Sequence, residues 1–385
     1  MPRILYLVPN LSDPAVSRRV AMFRLGGAEV DIAGFRRADA PPADLPLANV
    51  VELDITHDAR MLQRLFATLR AGSRAKGWAK GFARPDVIVA RNLEMLVVAN
   101  RLLPIWPDAP ALVYECLDIH RLMLRQDGIG GAMRATERRL MRQADWLVTS
   151  SPAFVANHFA SQSPPPVMLV ENKVFAPDLV ETGRNPGLAG ETQRIQIGWF
   201  GALRCNKSLA ALQGLAEAFA GGIEVTLRGR PALTEFADFH GTVTAARHLT
   251  YGGAYAYPDD LASLYSAIHF VWAVDLFEEG QNSSWLLPNR LYEGCLNGAI
   301  PIALQGTEMA AYIERLGIGV IVPDIEHQTL VALFSGMTPE RLRALAEAVA
   351  QLDQRLFRCT EAECRQLVGR LIDAPVDSPA LEAAE

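Results

Sequence analysis

Residues 288–301 read Pro-Asn-Arg-Leu-Tyr-Glu-Gly-Cys-Leu-Asn-Gly-Ala-Ile-Pro, entered through Gly-Gln-Asn-Ser-Ser at 280–284 and followed by the apolar Ile-Pro-Ile-Ala-Leu at 300–304. The order is loop, short helix, tight turn, strand. Pro288 suits the first helical position, where its missing N–H would have had no partner. Gly298 suits a left-handed exit, and Pro301 forbids the helix from continuing. Asn289, Glu293 and Asn297 recur every four residues and share a face, while Leu291, Cys295 and Leu296 turn towards a core. The helix start gathers unpaired backbone N–H groups and the positive end of a dipole, which suits a phosphate. Glu293, one turn in, suits the hydroxyls of a sugar. A nucleotide diphosphate fits this arrangement, and an ordinary amphipathic helix with a solvated polar face fits it equally.

The same rhythm runs outward in both directions. Apolar runs without alternation, as buried parallel strands require, stand at 3–9, 30–35, 50–53, 87–90, 111–115, 146–150 and 167–170. They restart at 195–200, 224–229, 269–274, 300–304 and 318–322, with helix-length segments between them, among them 16–25, 208–219 and 261–268. Alternation of this kind means α/β: two Rossmann-like, doubly wound domains with a cleft between them. The polar, Pro/Gly-bearing link at 182–193 marks the boundary region. An N-terminal domain takes residues 1–175 and a C-terminal domain 176–372, whose last helices are able to pack back on the first domain. An Ala/Pro/acid-rich tail at 373–385 frays. Ligands of open α/β sheets bind beyond the carboxyl ends of the strands. The polar loops at 10–13, 92–94, 118–120, 150–151, 201–207, 275–284 and 305–308 are therefore the places to look.

With 385 residues, half of them hydrophobic, the chain exceeds one typical core. No apolar run spans a bilayer, and the stretch 4–8 is too short for a signal peptide, so the expected location is the cytoplasm. The five cysteines, Cys116, Cys205, Cys295, Cys359 and Cys364, are scattered without paired metal-ligand spacing, which fits a reducing compartment and no metal site. Charge is uneven: of 37 Lys/Arg and 43 Asp/Glu, residues 1–175 hold 22 and 17. Residues 60–84 carry Arg60, Arg64, Arg70, Arg74, Lys76, Lys80 and Arg84 with no acid, interleaved with Leu65, Phe66, Leu69, Trp78 and Phe82. That composition suits peripheral contact with an anionic membrane. Base-stacking and zinc modules are absent, which argues against nucleic acid. Asp275, Glu278 and Glu279 read as a solvated acidic loop.

With these residues in view the chain resembles the GT-B glycosyltransferases, in particular the retaining family that includes sucrose synthase and bacterial mannosyltransferases. Ser-Asp-Pro-Ala-Val-Ser-Arg-Arg-Val at 12–20 is similar to that family's first-loop start, and 144–151 to its late N-domain strand. Gly-Ala-Leu-Arg-Cys-Asn-Lys-Ser at 201–208 is similar to its first C-domain loop, and 289–301 to its Lys-Leu-Tyr-Glu…Gly-x-Pro-Val signature. The resemblance implies that Lys207 contacts a donor diphosphate and Glu293 the nucleotide ribose, that Glu308 lies beside the donor, and that His120 faces the transferred sugar. Arg204, Asn289, Arg290 and Ser284 complete the implied donor set. Two positions depart from the family: Trp285 stands where it commonly has an acid, and Ala202 where it has an arginine, a charge that Arg204 supplies from two residues on. An inverting outcome would instead require a base over the cleft, for which Asp13, Asp118 and His120 are the candidates.

The resemblance implies metal-independent transfer of a hexose or glucuronic acid from a nucleotide diphosphate sugar, UDP favoured over GDP, with no further cofactor. The acceptor class it implies is a lipid-linked oligosaccharide of bacterial surface or exopolysaccharide assembly, met at the cytoplasmic face of the inner membrane. A uronic acid would require a cation, for which Arg204, Arg290 and Arg121 are candidates. Two other classes share the two-lobed plan: a non-hydrolysing sugar-nucleotide epimerase, and a non-catalytic glycosyltransferase-like partner subunit.

Overall fold

The computed structural model describes residues 1–37, 49–57, 61–177 and 194–373, without the side chains of 61 and 62. The link at 182–193, the tail from 374 and Arg60 lie outside the described residues. The chain forms two compact units, Met1–Glu171 with Thr360–Glu385, and Asn172–Cys359.

The first unit is built on a seven-stranded sheet: β1 (Arg3–Val8), β2 (Glu29–Arg37), β3 (Val50–Thr56), β4 (Val87–Arg91), β5 (Ala111–Cys116), β6 (Trp146–Thr149) and β7 (Val167–Leu169), in the order β3-β2-β1-β4-β5-β6-β7. Every pairing is parallel. The apolar runs are buried on both faces, which is why they show no alternation; Ile4 to Val8 are all buried. Strand order reverses between β1 and β4, and that switch point is where such sheets receive ligands. The helix Glu361–Ile372, with a Thr360/Glu363 capping box at its start, packs on Pro14–Leu25. The approach is close: a methyl group on Gly26 would stand 2.3 Å from the Cys364 carbonyl oxygen.

The second unit carries six parallel strands: β8 (Ile195–Leu203), β9 (Ile223–Pro231), β10 (Leu249–Tyr251), β11 (Phe270–Trp272), β12 (Ile300–Leu304) and β13 (Val320–Val322), in the order β10-β9-β8-β11-β12-β13. Its switch point lies between β8 and β11. Successive residues of β8 serve opposite faces: Trp199 joins one core cluster with Trp272 and Phe334, and Phe200 joins the other with Tyr265 and Tyr292. Gly201 and Gly229 face each other across β8 and β9; Gly229 takes φ +126°, and a methyl group there would meet the Gly201 oxygen at 1.9 Å.

Several expectations shift. β10 was not anticipated, since Leu-Thr-Tyr is too short to show a period. The strand expected over 318–322 begins at Val320, because Gly319 is left-handed at φ +76°. The helix expected from Ser208 opens at Asn206, with Cys205 as its cap. Pro288 is the extended residue before Asn289–Leu296 and not its first residue, while Gly298 makes the left-handed exit at φ +87°. Pro301 sits in the central strand β12, one residue ahead of the Ile302–Val320 pair that opens the β13 ladder, where its missing N–H is tolerated. Among the described residues no helix is long and apolar enough to cross a membrane.

Candidate functional site

At the second unit's switch point β8 delivers Arg204 and β11 delivers the loop bearing Asp275. Arg204 Nη2 donates to Asp275 Oδ2 at 3.1 Å, and its guanidinium lies over the Phe277 ring, 4.7 Å from the centroid. Asp275 also accepts the Phe277 N–H at 2.9 Å and is 8% exposed in its side chain, so it is no part of a solvated acidic loop. Burial pushes its carboxyl up, but Arg204, Arg290 and the Phe277 N–H outweigh burial and hold it below the ordinary carboxylate value. Lys207, in the first turn of Asn206–Ala218, is ion-paired with Glu279, and both are exposed.

The helix Asn289–Leu296 has no solvated polar face: Asn289 is exposed and every residue from Arg290 to Leu296 is buried. The Glu293 carboxylate accepts a hydrogen bond from Tyr265 Oη at 2.8 Å, and Tyr255 packs against the same apolar cluster. Burial, with the charge of Glu293 close by, raises both phenols, so they remain donors. Arg290 is 7% exposed, and its Nη1 has no hydrogen-bond partner among the described residues. A buried guanidinium N–H without a partner is costly, and an anion is what it would take. Asp275, Ser283, Pro288, Thr307 and Met309 contribute to the lining of a small recess of about 10 Å³. Ser284 bonds back to the Gln281 carbonyl at 3.1 Å. Glu308 opens the helix Glu308–Arg315 behind the cap Thr307; burial raises its carboxyl against the opposing pull of Arg315.

The first unit's switch point holds a second polar group. Asp13 caps Pro14–Leu25, Oδ1 accepting the Ala15 N–H at 2.9 Å, while Oδ2 lies 3.7 Å from Arg91 Nη2. Arg91, the last residue of β4, donates to Tyr6 Oη at 3.2 Å, and Tyr6 donates to Glu115 Oε2 at 2.5 Å. Arg19 Nε donates to Glu115 Oε1 at 2.7 Å. Burial raises the Tyr6 phenol, which stays protonated, while the surrounding anionic groups outweigh burial and keep Arg91 charged. Asn92, directly after Arg91, is held at φ +65°.

Asp118 and His120 follow β5 and are exposed. His120 Nδ1 accepts the Leu122 N–H at 3.3 Å, so the neutral ring carries its proton on Nε2 and offers a donor rather than a base. Burial and the nearby Arg64 lower its pKa, with Glu94 opposing; Arg64 and Glu94 are themselves paired at 2.6 Å.

Tyr6, Arg19, Arg91, Glu115, Tyr255 and Tyr265 do not emerge as site residues from the sequence reading, and Asp275 emerges there only as a solvated acid. One signal was present: Arg91 and Glu115 are charged residues at the ends of otherwise apolar strands, where a buried partner is needed. Among the described residues no group of three or more His, Cys, Asp or Glu is arranged to hold a metal ion.

No protein-family model matches the chain. The succinoglycan biosynthesis protein ExoL of Rhizobium meliloti (strain 1021) is 43% identical over 384 residues, which is 98% of this chain and 95% of that protein. Among solved structures, a sucrose-phosphate synthase from Thermosynechococcus elongatus matches with a TM-score of 0.72 at 14% identity, covering 96% of this chain and 98% of that one. HepE of Anabaena in complex with UDP-glucose matches with a TM-score of 0.66 at 16% identity, covering 96% and 99%. The fold is that of the GT-B glycosyltransferases, two doubly wound units on parallel sheets of seven and six strands. The chain belongs to the family of the succinoglycan biosynthesis protein ExoL.

Proposed function

We propose that the protein is a glycosyltransferase of exopolysaccharide biosynthesis that moves a sugar from a UDP-sugar to a lipid-linked oligosaccharide at the cytoplasmic face of the inner membrane. The observation that carries the reading is the unpartnered Nη1 of buried Arg290, whose charge acts together with that of Arg204 on Asp275 at the β8/β11 switch point. Departure of a nucleotide diphosphate builds charge on its phosphate oxygens, and fixed guanidinium and ammonium groups stabilise that charge without a metal ion. Lys207 and Asn289 stand at the approach to this place, Glu293 takes the ribose and Glu308 lies beside the donor. His120 donates from Nε2 to the transferred sugar. Asp13, tied to Ala15 and Arg91, belongs to the acceptor side, as does Asp118.

UDP is favoured for the base, because HepE, whose fold this chain shares, is solved with UDP-glucose. The transferred sugar is a hexose or glucuronic acid; Arg204 is paired with Asp275 and Arg290 is taken up by phosphate, so Arg121 is the cation a uronate would meet. Calorimetric titration with UDP and GDP, then product analysis with UDP-glucose in the presence and absence of a polyprenyl-diphosphate-linked glycan, tests this. Absence of UDP binding, or sugar release that needs no acceptor, sinks it.

Membrane contact rests on Met61–Ser73, where Leu65, Phe66 and Leu69 are 51%, 62% and 51% exposed. Arg64, Arg70 and Arg84 are spoken for by Glu94, Asp54 and Asp86, so the positive rim is Arg74, Lys76 and Lys80. An apolar patch with a basic rim suits a surface that is both apolar and anionic. Sedimentation with phosphatidylglycerol vesicles that is unchanged by replacing the three apolar residues with serine rules this contact out.

A further inference from the structure

We propose that Arg91 is a positioning residue of the acceptor side: it holds the Asp13 carboxylate where Oδ2 receives a hydrogen bond from a neutral hydroxyl of the acceptor sugar. The proposal deepens the acceptor-side reading of the first unit and rests on it.

Three strands bring the group to one face of the sheet. Tyr6 of β1 pairs with Val89, two residues before Arg91, and Arg91 pairs with Glu115 at the end of β5. The helix Pro14–Leu25 supplies the rest, Asp13 as its cap and Arg19 from its second turn. Each nitrogen of the Arg91 guanidinium faces a different oxygen: Nη1 the Tyr6 hydroxyl at 3.2 Å, Nη2 Asp13 Oδ2 at 3.7 Å and Nε Glu115 Oε2 at 4.0 Å. Tyr6 is itself tied to Glu115 at 2.5 Å, so the plane of the fork is fixed.

The charges are matched, Arg19 and Arg91 against Glu115 and Asp13. Arg19 takes Glu115 at 2.7 Å, and Asp13 supplies the second counter-charge. An anionic ligand would therefore meet the Asp13 carboxylate with no spare cation behind it, whereas a neutral hydroxyl donates to it. Asp13 Oδ1 is committed to the Ala15 N–H, but 3.7 Å from Arg91 is an ion pair and not a hydrogen bond, which leaves the lone pairs of Oδ2 for a donor. Access falls to the same residue: the Asp13 side chain is 36% exposed, Arg91 7% and Glu115 1%. A carboxylate held at both oxygens and still open to solvent is suited to orient a sugar hydroxyl.

Transfer from UDP-glucose to the polyprenyl-diphosphate-linked glycan, measured on the full-length protein with Asp13→Ala, Arg91→Lys, Tyr6→Phe and the latter two combined with Asp13→Ala, tests this. Asp13→Ala should lower kcat/KM for the glycan about tenfold or more, the effect of one hydrogen bond to a charged group. Arg91→Lys keeps the charge and loses the fork, and should lower it about fivefold; Tyr6→Phe leaves every charge in place and should lower it about threefold. Both losses should shrink to within about twofold in the Asp13→Ala background, while UDP affinity, set in the second unit, stays within about twofold throughout. Equal losses with and without Asp13 overturn the positioning role and leave a staple between helix and sheet, and so does the absence of any loss. Should Arg91→Lys fail to fold, Tyr6→Phe decides alone. Unchanged kcat/KM in Asp13→Ala overturns the hydroxyl contact. A wild type that binds UDP but does not glycosylate the glycan overturns the acceptor reading, and this assignment with it.

Discussion

Replacing Arg290 with methionine keeps most of the side-chain volume and removes a buried charge whose Nη1 has no partner. If that group meets the donor phosphate, the variant forfeits a charge-assisted hydrogen bond of about 1.5–3 kcal/mol, which weakens UDP binding roughly 10- to 150-fold. The same change acts on folding. Asp275 is held below its ordinary pKa by Arg204 and Arg290 together, against its burial. A depressed carboxyl contributes stability that is present above the unfolded value, about 3.9, and is lost as pH falls through the folded one. With Arg290 gone the depression shrinks, so the stability deficit of the variant is full at neutral pH and fades in acid, where both proteins carry a protonated Asp275. Calorimetry with UDP at two salt concentrations and urea unfolding at pH 7 and about pH 2 read both effects. A variant that binds UDP within twofold of wild type refutes the phosphate role of Arg290.

Three other outcomes follow from the geometry. Gly229→Ala should cost about 3 kcal/mol or more in urea unfolding, because its φ of +126° and the 1.9 Å approach to the Gly201 oxygen leave no room for a methyl group; a loss under about 1 kcal/mol would contradict the strand contact. Glu115→Gln leaves Arg19 and Arg91 without their buried counter-charge and should destabilise by about 3–5 kcal/mol, seen as a shifted urea midpoint. His120 is lowered in the folded protein, so the unfolded chain takes up its proton first; stability falls as pH drops from about 6.5 towards the folded value and then levels. His120→Gln should flatten that part of the pH profile, and an NMR titration that places the ring above the ordinary histidine value would count against the assignment.

The sheets were legible because a parallel strand buried on both faces is a plain apolar run, and 3–9 or 195–200 can hardly be read otherwise. β10 was not, since three residues carry no period. The loops at the strand ends were legible as a class, and Arg204 and Lys207 were found within them. Their partners were not, because Asp275 lies 71 residues from Arg204, and Glu115 lies 96 from Arg19. No local pattern encodes pairing at that distance. The helix at 289–296 shows the same limit: four-residue spacing placed Asn289 and Glu293 on one face, but whether that face meets water is decided by Tyr265 and Tyr255, which arrive from other elements. Asp275 was misread for this reason, its acidic neighbours Glu278 and Glu279 suggesting solvent where a buried ion pair stands.

The helix Glu361–Ile372 belongs to the first unit although 188 residues of the second unit, Asn172–Cys359, precede it in the chain. During synthesis the second unit, continuous in sequence, has all its strands available before this helix has emerged. The first unit has its whole sheet but not the segment that covers Pro14–Leu25, so the buried side chains Cys364, Leu367, Val368 and Leu371 reach their places last. The ribosome therefore delivers the opening domain early and its final piece late, and until residue 372 has left the exit tunnel the end of Pro14–Leu25 at Gly26, which Cys364 and Val368 cover, stays open for chaperones to shield.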